Sequence, residues 1–568
     1  MIPFETVTHN ANFCVVGGGM AGLCAAVAAA RRGTKTVLMQ DRSVLGGNAS
    51  SEIRMWISGF NKGNTRVTGI LEEILLENFY RNQKLSFSIW DSVLYEKARF
   101  EPNITLLLNC SCLDAETDGA KIRSVTGWQT TTQVYHKVEA EIFADCSGDS
   151  VLAPLTGAEY RVGREAKSEF GESIPPDTDD NHTMGMSCLM QLRETDSPQP
   201  FVPPDWAYSY PTDAELPYKN HDLNSNFWWI ELGGMQDSIR DTEELRDELL
   251  KIAFGVWDHM KNRGNHGCEN WILDWMEFLP GKRESRRYAG AVTVTQNDVE
   301  AAGRNFPDIV AYGGWSMDDH FPEGFHYRDG HPTIYHPAPC PWGIPYRALY
   351  SLNVKNLYFA GRNISVTHAA LSSSRVMATC ALLGQAVGTA ASLAKSDCCT
   401  PEAVNIPRLQ QTLMEDDCWL PFVSREIPLL TVQAHSSHPV LKNGKDRPDE
   451  SGCNGAVLKQ GESVVYSYDS FVDIERINLV FDSDLNRWYH NMPHSYPLKQ
   501  EGYTLPETLM KTYALALTTP EGVMRIENTR NRRRFVTHKV GLKANKIELV
   551  PLETWGSPDF RVFSMYVY

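Results

Sequence analysis

The stretch NFCVVGGGMAG, residues 12–22, decides the fold of this chain. Its apolar run 13–16 is typical of a buried strand, and the small residues from 20 to about 31 predict a helix. The apolar residues 36–39 then predict a second buried strand. A strand, a glycine-rich turn, a helix and a second strand in this order predict a βαβ unit, and therefore an α/β fold built on a parallel sheet.

Three glycines of the turn, Gly17, Gly19 and Gly22, have the spacing G-x-G-x-x-G. In this motif the first glycine makes the turn, the second lets the backbone approach a pyrophosphate, and the third lets the helix pack on the strand. The pyrophosphate binds the first N–H groups of the helix, at Met20 and Ala21. The motif therefore indicates a dinucleotide site rather than a packing turn. We expect valine to abolish cofactor binding at Gly19 and to be less harmful at the neighbouring glycines.

The ribose of a dinucleotide usually binds an acidic side chain about 20 residues beyond the glycines. Gln40 occupies this place and Asp41 follows it. Either side chain can accept a hydrogen bond from a ribose hydroxyl. Because successive residues of a strand point to opposite faces, we expect Gln40 to contact the ribose and Asp41 to lie beside it.

A second glycine pair, Gly46-Gly47, follows the second predicted strand. The stretch GGNASSEIRMW, residues 46–56, resembles the signature of a family of FAD-dependent oxidoreductases related to the fumarate reductase flavoprotein. The resemblance implies FAD as cofactor, with Asn48, Ser50 and Ser51 close to it. Fumarate reductases often tether FAD through a histidine near this element. No histidine stands between residues 10 and 135 here, so we expect FAD to be bound noncovalently.

Two later segments resemble the remaining parts of such an FAD domain. The stretch AEIFADCSGDS, residues 140–150, resembles the element that closes over the adenosine half of the cofactor. The stretch 357–391, which begins LYFAGRN, resembles the last FAD-binding element. The further cofactor contacts expected from these segments and the strands between them are Cys112, Asp145, Gly148, Asp149, Gly361, Arg362, Gln385 and Ala386.

The order of these segments predicts a discontinuous FAD/NAD(P)-binding Rossmann-like domain with an inserted substrate domain, followed by an all-β sandwich. The FAD domain takes residues 1–160 and 340–400, and the insertion takes 161–339. A helical linker, 401–455, precedes the sandwich, 456–568. Further elements are predicted as a helix at 68–82, a strand at 224–234, a helix at 241–261 and strands at 462–467, 476–482, 511–517, 522–526 and 560–568.

The predicted sandwich resembles galactose-binding-like domains of the discoidin type in its run FDSDLN, residues 481–486, and in its final strand. Such domains bind carbohydrate in some proteins and only pack in others. We expect packing or a dimer contact here, so a homo-oligomer is left open.

Hydride transfer to a flavin requires a group that moves a proton and a fixed cation that steadies charge on the substrate oxygen. His368 and Arg375 come with the last FAD element, and seven residues of helix would place them on one face. Arg286 and His320 are the further candidates, from the insertion. The alternatives are structural: His368 capping the following helix and Arg375 holding a carboxylate.

These features predict an FAD-dependent oxidoreductase that acts on a small polar organic substrate with an unidentified electron acceptor. Related genes are often found beside those of polysaccharide-degrading enzymes, so the resemblance implies a carbohydrate-derived alcohol or uronic acid. The alternatives are a carboxylic acid C–C bond, as in fumarate reductase, and a glycan-binding flavoprotein with little catalysis.

Composition and net charge limit the classes of binding partner and the cellular compartment that we expect for this chain. The net charge of −16 over 568 residues argues against nucleic acid or an anionic membrane surface as partner. We see no apolar run of 18 residues, so no membrane span is predicted. Thirteen cysteines without a framework of spacings and the absence of a signal-peptide pattern favour the cytoplasm, although a processed secreted form is the alternative. No His, Asp or Glu residues have metal-ligand spacing, so no metal site is predicted.

Overall fold

The computed structural model describes residues 4–60, 63–449 and 454–568. The chain forms two compact units. The first consists of Met1–Asn61, Leu85–Leu409 and His490–Glu501, and the second of Lys62–Lys84, Gln410–Tyr489 and Gly502–Tyr568. The predicted FAD domain and insertion thus lie in one unit, while residues 63–84 and most of the predicted linker lie with the C-terminal strands.

The helices of the described residues range from single turns to the 20-residue α9. In chain order the α-helices are α1 (Met20–Arg31), α2 (Ile70–Arg81), α3 (Phe87–Arg99), α4 (Leu152–Thr156), α5 (Lys167–Phe170), α6 (Thr242–Asp258), α7 (Gln296–Glu300), α8 (His368–Ser374), α9 (Met377–Ser396), α10 (Ile406–Glu415) and α11 (Leu429–Gln433). A π-helix, His259–Arg263, continues α6, and short 3₁₀ helices span Gly47–Ala49, Asp213–Glu215, Gly324–His326, Tyr346–Ala348, Pro401–Ala403 and Pro439–Lys442.

The strands of the first unit are β1 (Thr6–Val16), β2 (Thr36–Met39), β3 (Ile104–Leu107), β4 (Cys110–Asp118), β5 (Lys121–Gln129), β6 (Val134–Asp145), β7 (Tyr160–Arg161), β8 (Met186–Ser187), β9 (Met190–Glu194), β10 (Glu231–Leu232), β11 (Trp271–Met276), β12 (Gly281–Lys282), β13 (Arg287–Tyr288), β14 (Ile309–Gly313), β15 (Met317–His320), β16 (Thr333–His336), β17 (Trp342–Pro345) and β18 (Leu357–Phe359). The strands of the second unit are β19 (His435–Ser436), β20 (Ala456–Leu458), β21 (Val464–Phe481), β22 (Met510–Thr519), β23 (Gly522–Asn528), β24 (Phe535–Thr554) and β25 (Phe560–Val567).

A mostly parallel sheet organises the first unit. Its strand order is β3-β2-β1-β6-β5-β4, and β18 pairs with β6. β1, β2, β3, β6 and β18 run parallel, whereas β4 and β5 are antiparallel additions. Val16 lies opposite both Met39 and Asp145, so the strands end together at one edge of the sheet. This arrangement confirms the predicted Rossmann-like α/β fold, and its carboxyl edge is where such folds bind ligands.

Helices α1 and α9 pack on this sheet with their backbones almost in contact. A Cβ atom on Gly384 would lie 2.0 Å from the carbonyl oxygen of Ala21, and one on Gly388 would lie 2.1 Å from that of Ala25. Even a methyl group at these two positions of α9 would therefore push the helices apart. Nearly all of α1 is alanine, glycine or another small or apolar buried residue, which allows the same close approach from its side.

The apolar helix α9 corrects the expectation that the chain has no run long enough to cross a membrane. α9 reaches a mean hydropathy of 1.4 over an 18-residue window, and 94% of that window is buried in the structure. It is the one helix of the described residues that meets this length and composition. Core helices of globular folds meet the same test, and burial against α1 accounts for its composition.

The predicted insertion forms a second core of the first unit. α6 shares this core with Met186 of β8, Leu192 of β9 and Trp271 of β11. The helix predicted at 241–261 is confirmed as α6, which continues into the π-helix. The strand predicted at 224–234 is wrong except for β10, because Phe227 adopts φ +61° and the chain turns there.

The second unit contains an antiparallel sheet with the strand order β20-β25-β21-β24-β22-β23, and β19 pairs with β21. β21 and β24 are 18 and 20 residues long, and their register shifts near residues 467–472. The region is consistent with the predicted β-sandwich. α2, predicted at 68–82, belongs to this unit, where Arg487 and buried Glu72 form a two-pronged ion pair.

Candidate functional site

A cavity of about 630 Å³ lies at the carboxyl edge of the parallel sheet. The glycine-rich turn after β1 forms one part of its wall, and residues of the insertion form another. The predicted site residues that line it are Gly17, Gly19, Met20, Ala21, Gln40, Asp41, Gly46, Gly47, Asn48, Cys112, Gly148, Asp149, Arg286, His320, Gly361, Arg362 and Arg375. The sheet edge therefore gathers, into one cavity, most of the residues that the sequence singled out.

The three glycines of the turn have different physical roles. A Cβ on Gly17, which has φ +100°, would lie 2.4 Å from the carbonyl carbon of Cys146. A Cβ on Gly22 would lie 1.8 Å from the carbonyl oxygen of Gly17. At Gly19 the nearest atom to a Cβ is the Cα of Gly47 at 3.9 Å, and the position faces the cavity. Gly17 and Gly22 are thus required by packing, whereas Gly19 keeps open the space that a bound backbone would fill.

The start of α1 fits a pyrophosphate. Its N-cap, Gly19, has no side chain to cap the helix, and no acidic residue stands in the first turn. The first N–H groups of α1 and the positive end of its dipole therefore face the cavity at Met20 and Ala21.

Basic side chains add positive charge near this turn. Lys282 Nζ lies 2.9 Å and Arg362 Nη2 lies 2.6 Å from the carboxylate of Asp149, and Arg286 donates to the Asp149 carbonyl oxygen at 3.3 Å. Burial alone would raise the pKa of Asp149, but Arg362 and Lys282 outweigh it and hold that pKa well below its usual range. Three cations around one carboxylate leave a net positive charge, which suits a phosphate-bearing cofactor such as FAD.

Gln40 lies at the cavity but is already bound to the protein. Its Oε1 accepts from the N–H of Gly18 at 2.6 Å, and its Nε2 donates to the Val44 carbonyl oxygen at 3.2 Å. Each group of the amide keeps one further hydrogen-bonding position. Asp41 also lines the cavity, and its side chain is 61% exposed beside Arg42. A ribose contact from either residue stays a prediction.

Six predicted cofactor residues do not line the cavity: Gly22, Ser50, Ser51, Asp145, Gln385 and Ala386. Asp145 instead holds the turn after β6, since its carboxylate accepts from the N–H groups of Ser147 and Leu152 and from the hydroxyl of Tyr288. Ser51 donates its N–H to Asp91. Gln385 and Ala386 are buried in α9, next to the glycines that touch α1.

The insertion, together with Arg375 from the last FAD element, contributes a chain of alternating charges to the cavity. His320 Nδ1 lies 2.6 Å from a carboxylate oxygen of buried Glu231, and its Nε2 lies 3.3 Å from Asp318. Arg283 lies 3.3 Å from Glu231, and Arg375 lies 3.2 Å from Asp318. Burial would raise the pKa of Glu231, but Arg283 and then His320 outweigh it and lower that pKa. Both carboxylates are thus held ionised on either side of His320.

Strand β15 explains how these side chains reach the cavity. Alternate residues of a strand share a face, so Asp318 and His320 point to the cavity and Asp319 points away from it. Tyr335 lies opposite Asp318 on β16 and also lines the cavity. Trp228 packs edge-on against His320, with ring centroids 5.2 Å apart.

His368 lies on the other side of β15 and does not line the cavity. Its Nδ1 lies 2.9 Å from Glu284, and its Nε2 lies 3.1 Å from Asp319. Burial alone would lower the pKa of His368, but Glu284 and Asp319 outweigh it and raise the pKa to about 10. The side chain is therefore a buried cation between two carboxylates. It does not cap the helix either, because Thr367 accepts from the N–H of Ala370 in that role.

The expectation that His368 and Arg375 share a helical face fails because α8 ends at Ser374. Arg375 follows as the C-cap and turns to the cavity. Sequence reasoning also missed the cavity residues Arg42, Lys282, Arg283, Asp318 and Tyr335. If SMDDH had been treated as a strand, its alternating residues would have placed Asp318 and His320 on one face and Asp319 on the other. We find no sequence signal for Tyr335.

A first prediction concerns valine at the glycines of the turn. The expectation that valine is less harmful at the neighbours of Gly19 is corrected, because a Cβ at Gly17 or Gly22 would collide with the backbone. Gly19→Val should fold but purify without FAD, because the branched side chain fills the space along the cofactor backbone. Gly22→Val is the matched comparison, and it should fail to fold stably because its Cβ meets the Gly17 carbonyl. Flavin absorbance per chain and thermal unfolding measure both effects. A flavin-replete Gly19→Val protein would contradict this assignment.

A second prediction concerns the cofactor linkage. His9 and His136, the histidines nearest in sequence to the glycine pair, bind each other at 2.9 Å and do not line the cavity. Burial raises the pKa of the cavity thiols Cys110, Cys112 and Cys380 to about 12 and that of Cys146 well above its usual range, so none of the four is a ready nucleophile. Acid precipitation should therefore release all flavin into the supernatant. Flavin retained in the pellet would show a covalent bond.

The third prediction is a pH dependence of stability set by His368. Its folded pKa of about 10 exceeds the unfolded value of about 6.5, so its stabilising charge is fully present below about pH 6.5 and is lost as the pH rises towards 10. His368→Gln removes the cation between Glu284 and Asp319, although Arg287 still lies 3.3 Å from Glu284, so the substitution should cost about 3 kcal/mol at neutral pH.

Denaturant unfolding from pH 7 to 10 tests this dependence. The stability difference between wild type and His368→Gln should shrink as the pH rises. His182→Gln, which removes a half-exposed histidine paired with Asp180, is the control and should change little. A difference that stays constant across this range would contradict the assigned charge.

Comparison with known proteins places the chain in a family. A comparison with curated protein sequences finds no match. Among solved structures, AlpK is 10% identical with a TM-score of 0.32, over 68% of this chain and 63% of AlpK. The anhydrotetracycline hydroxylase OxyS from Streptomyces rimosus is 10% identical with a TM-score of 0.32, over 72% of this chain and 67% of OxyS.

The glycerol-3-phosphate dehydrogenase from Bacillus halodurans, solved in complex with FAD, is 14% identical with a TM-score of 0.21, over 33% of this chain and 40% of the dehydrogenase. This chain thus spans less than two thirds of the length of AlpK, and these distant similarities say nothing about its substrate. The model of the family described as FAD dependent oxidoreductase matches residues 12–413, most of the chain. The protein therefore belongs to the FAD dependent oxidoreductase family, and FAD is its cofactor.

Proposed function

We propose that this FAD-dependent oxidoreductase oxidises an alcohol group of a small, uncharged, carbohydrate-derived substrate, with His320 as the general base. The observation that carries the proposal is the buried Glu231–His320 pair at 2.6 Å, with the imidazole at the cavity wall. A carboxylate that orients a histidine, which in turn faces the reactant, is the arrangement that general-base catalysis requires.

The proton moves through His320 in this proposal. When bound, FAD supplies the hydride acceptor. In the neutral ring Nδ1 of His320 donates to Glu231, so Nε2, which lies 3.3 Å from the Asp318 carboxylate, carries the lone pair and accepts the proton of the substrate hydroxyl. The imidazolium formed in this way lies between two carboxylates, Glu231 and Asp318, and both stabilise its charge. Arg375, also at the cavity, is positioned to steady negative charge on the substrate oxygen.

The charge balance favours an uncharged substrate over a dicarboxylate. The two arginines at this part of the cavity are each paired, Arg283 with Glu231 and Arg375 with Asp318. A substrate carboxylate would have to displace a protein carboxylate from one of them. Hydroxyl groups can instead share these donors and acceptors without breaking an ion pair.

Aromatic side chains support a carbohydrate-like substrate. Trp228, Trp315 and Tyr335 line the cavity together with the charged chain. Sugar rings present C–H groups on one side and hydroxyls at the rim, and aromatic faces beside paired polar groups complement both. A uronic acid is the charged variant of this class, and its carboxylate would compete with Asp318 for Arg375.

An anaerobic substrate screen tests the proposed class. Neutral sugars and polyols, uronic acids, and dicarboxylates are mixed separately with the FAD-loaded enzyme, and loss of the flavin's visible absorbance is followed. Bleaching by a neutral carbohydrate alcohol supports the proposal. Bleaching by a dicarboxylate alone would favour the fumarate-reductase-like alternative, and no bleaching by any class would favour a glycan-binding flavoprotein.

The fourth prediction tests the role of His320. His320→Gln keeps a hydrogen-bond donor towards Glu231 but removes the base, so flavin reduction should slow by about 10²–10⁴-fold while FAD content stays unchanged. His182→Gln, which alters another histidine–carboxylate pair away from the cavity, should react at the wild-type rate. Stopped-flow reduction with a substrate from the screen makes the measurement. A His320→Gln enzyme within a few-fold of wild type would exclude this base.

A further inference from the structure

A second cluster of titratable side chains lies in the first unit, outside the flavin cavity. Asp213, His221, His259 and His266 each offer one ligand atom, and these four atoms lie within 4.8 Å of one another. None of the four lines the cavity. The cluster is the one group of this kind among the described residues.

The fold brings these residues together from two segments of the chain, 213–221 and 259–266. Asp213 begins a 3₁₀ helix, and His221 follows in the next loop. His259 starts the π-helix that continues α6, and His266 stands in the loop after it. π-Helical turns of this kind occur frequently at functional sites, since the extra residue re-aims a side chain.

The distances within the cluster are those of metal ligands. His259 Nε2 lies 2.9 Å from Asp213 Oδ1 and 3.0 Å from His266 Nε2, and His266 Nε2 lies 3.5 Å from Asp213 Oδ1. Ligand atoms at about 2.0–2.1 Å from a tetrahedral Zn²⁺ stand about 3.3–3.4 Å apart. The three separations bracket this value.

Without a metal ion, neutral histidines leave some hydrogen-bonding groups of this cluster without a suitable partner. His259 Nδ1 lies 2.7 Å from the carbonyl oxygen of Tyr210, so this nitrogen carries the N–H. In the neutral ring Nε2 is then a lone pair, yet it faces the carboxylate oxygen of Asp213 at 2.9 Å. His221 Nε2 is buried and has no hydrogen-bond partner among the described residues. A cation shared by all four groups would give His259 Nε2 and the Asp213 carboxylate a common partner and would give His221 a partner as well.

The hydrogen bond from His259 to a backbone carbonyl is of the kind that supports metal-binding histidines. Histidines that bind metals usually donate their other N–H to a carbonyl or carboxylate, which fixes the ring and its tautomer. The Tyr210 carbonyl does this for His259, which is 0% exposed. The ring therefore cannot turn away from the cluster without losing a buried hydrogen bond.

We propose that Asp213, His221, His259 and His266 form a binding site for a divalent transition-metal ion, with Zn²⁺ as the best match. Three imidazoles and one carboxylate suit Zn²⁺ rather than Mg²⁺ or Ca²⁺, which prefer oxygen ligands. Four protein ligands leave no position open for a reactant, so the ion is structural. It ties the loop before β10 to the end of α6.

Metal analysis of the intact, FAD-loaded protein tests the site. Protein produced with added zinc should contain about one Zn²⁺ per chain. After chelation it should lose thermal stability, regain it on adding Zn²⁺ alone, and take up Co²⁺ with the strong visible absorption of tetrahedral coordination. Absence of bound Zn²⁺ together with no uptake by the chelated protein would overturn the proposal and leave an imidazolium–carboxylate network.

Variants assign the ligands. Asp213→Ala and His266→Ala are preferred because these side chains are partly exposed, at 74% and 13%, so the fold should survive. Each should weaken Zn²⁺ binding by more than the roughly 10–100-fold that loss of an outer-shell partner costs. His9→Ala alters another close histidine pair, His9–His136 at 2.9 Å, and should bind Zn²⁺ like wild type. Unchanged Zn²⁺ affinity in both ligand variants would overturn the proposal, whatever the outcome of the substrate screen.

Discussion

The close contact between α1 and α9 is the constraint on which the first unit depends. Gly384 and Gly388 leave α9 no side chain at the two points where it meets the carbonyl groups of Ala21 and Ala25. Because α1 is held at this distance, its first turn is fixed at the carboxyl edge of the sheet, directly after β1. The position of Gly19 at the cavity therefore depends on the packing of α1 against α9. The same packing sets the space that is left for the pyrophosphate of the cofactor.

The local charge around the cavity differs from the net charge of the whole chain. The chain carries a net charge of −16, yet Asp149 lies among Lys282, Arg286 and Arg362 where a phosphate-bearing cofactor would lie. Beside His320, Glu231 is paired with Arg283 and Asp318 with Arg375, so two positive charges balance the two carboxylates next to the imidazole. Excess positive charge in one part of the cavity and neutrality in another distinguish a cofactor region from a region suited to an uncharged substrate.

The sequence predicted the parts of this fold that local pattern determines. α1 and β2 have the predicted positions, because glycine turn and helix follow one another closely, whereas β1 contains the predicted run 13–16 but begins at Thr6. It did not predict β24, whose Lys539, Lys543 and Lys546 interrupt the apolar pattern and whose partners lie far along the chain. The surroundings of His368 on α8 depend on which face of β15 Asp319 takes, and the motif of the last FAD element carries no such information.

The segment that contains Trp228 and Trp229 connects the two clusters of the first unit. Trp228 faces the flavin cavity beside His320, and Trp229 is buried in the core, where its Nε1 donates to the carbonyl oxygen of Asn220. Asn220 precedes His221, whose ring packs edge-on against Trp229 at 6.1 Å. Glu231, which orients His320, follows two residues after Trp229. An ion bound by His221 would therefore affect the reaction by fixing the segment that carries Trp228 and Glu231. This is the role expected of a metal site whose four ligands all come from the protein.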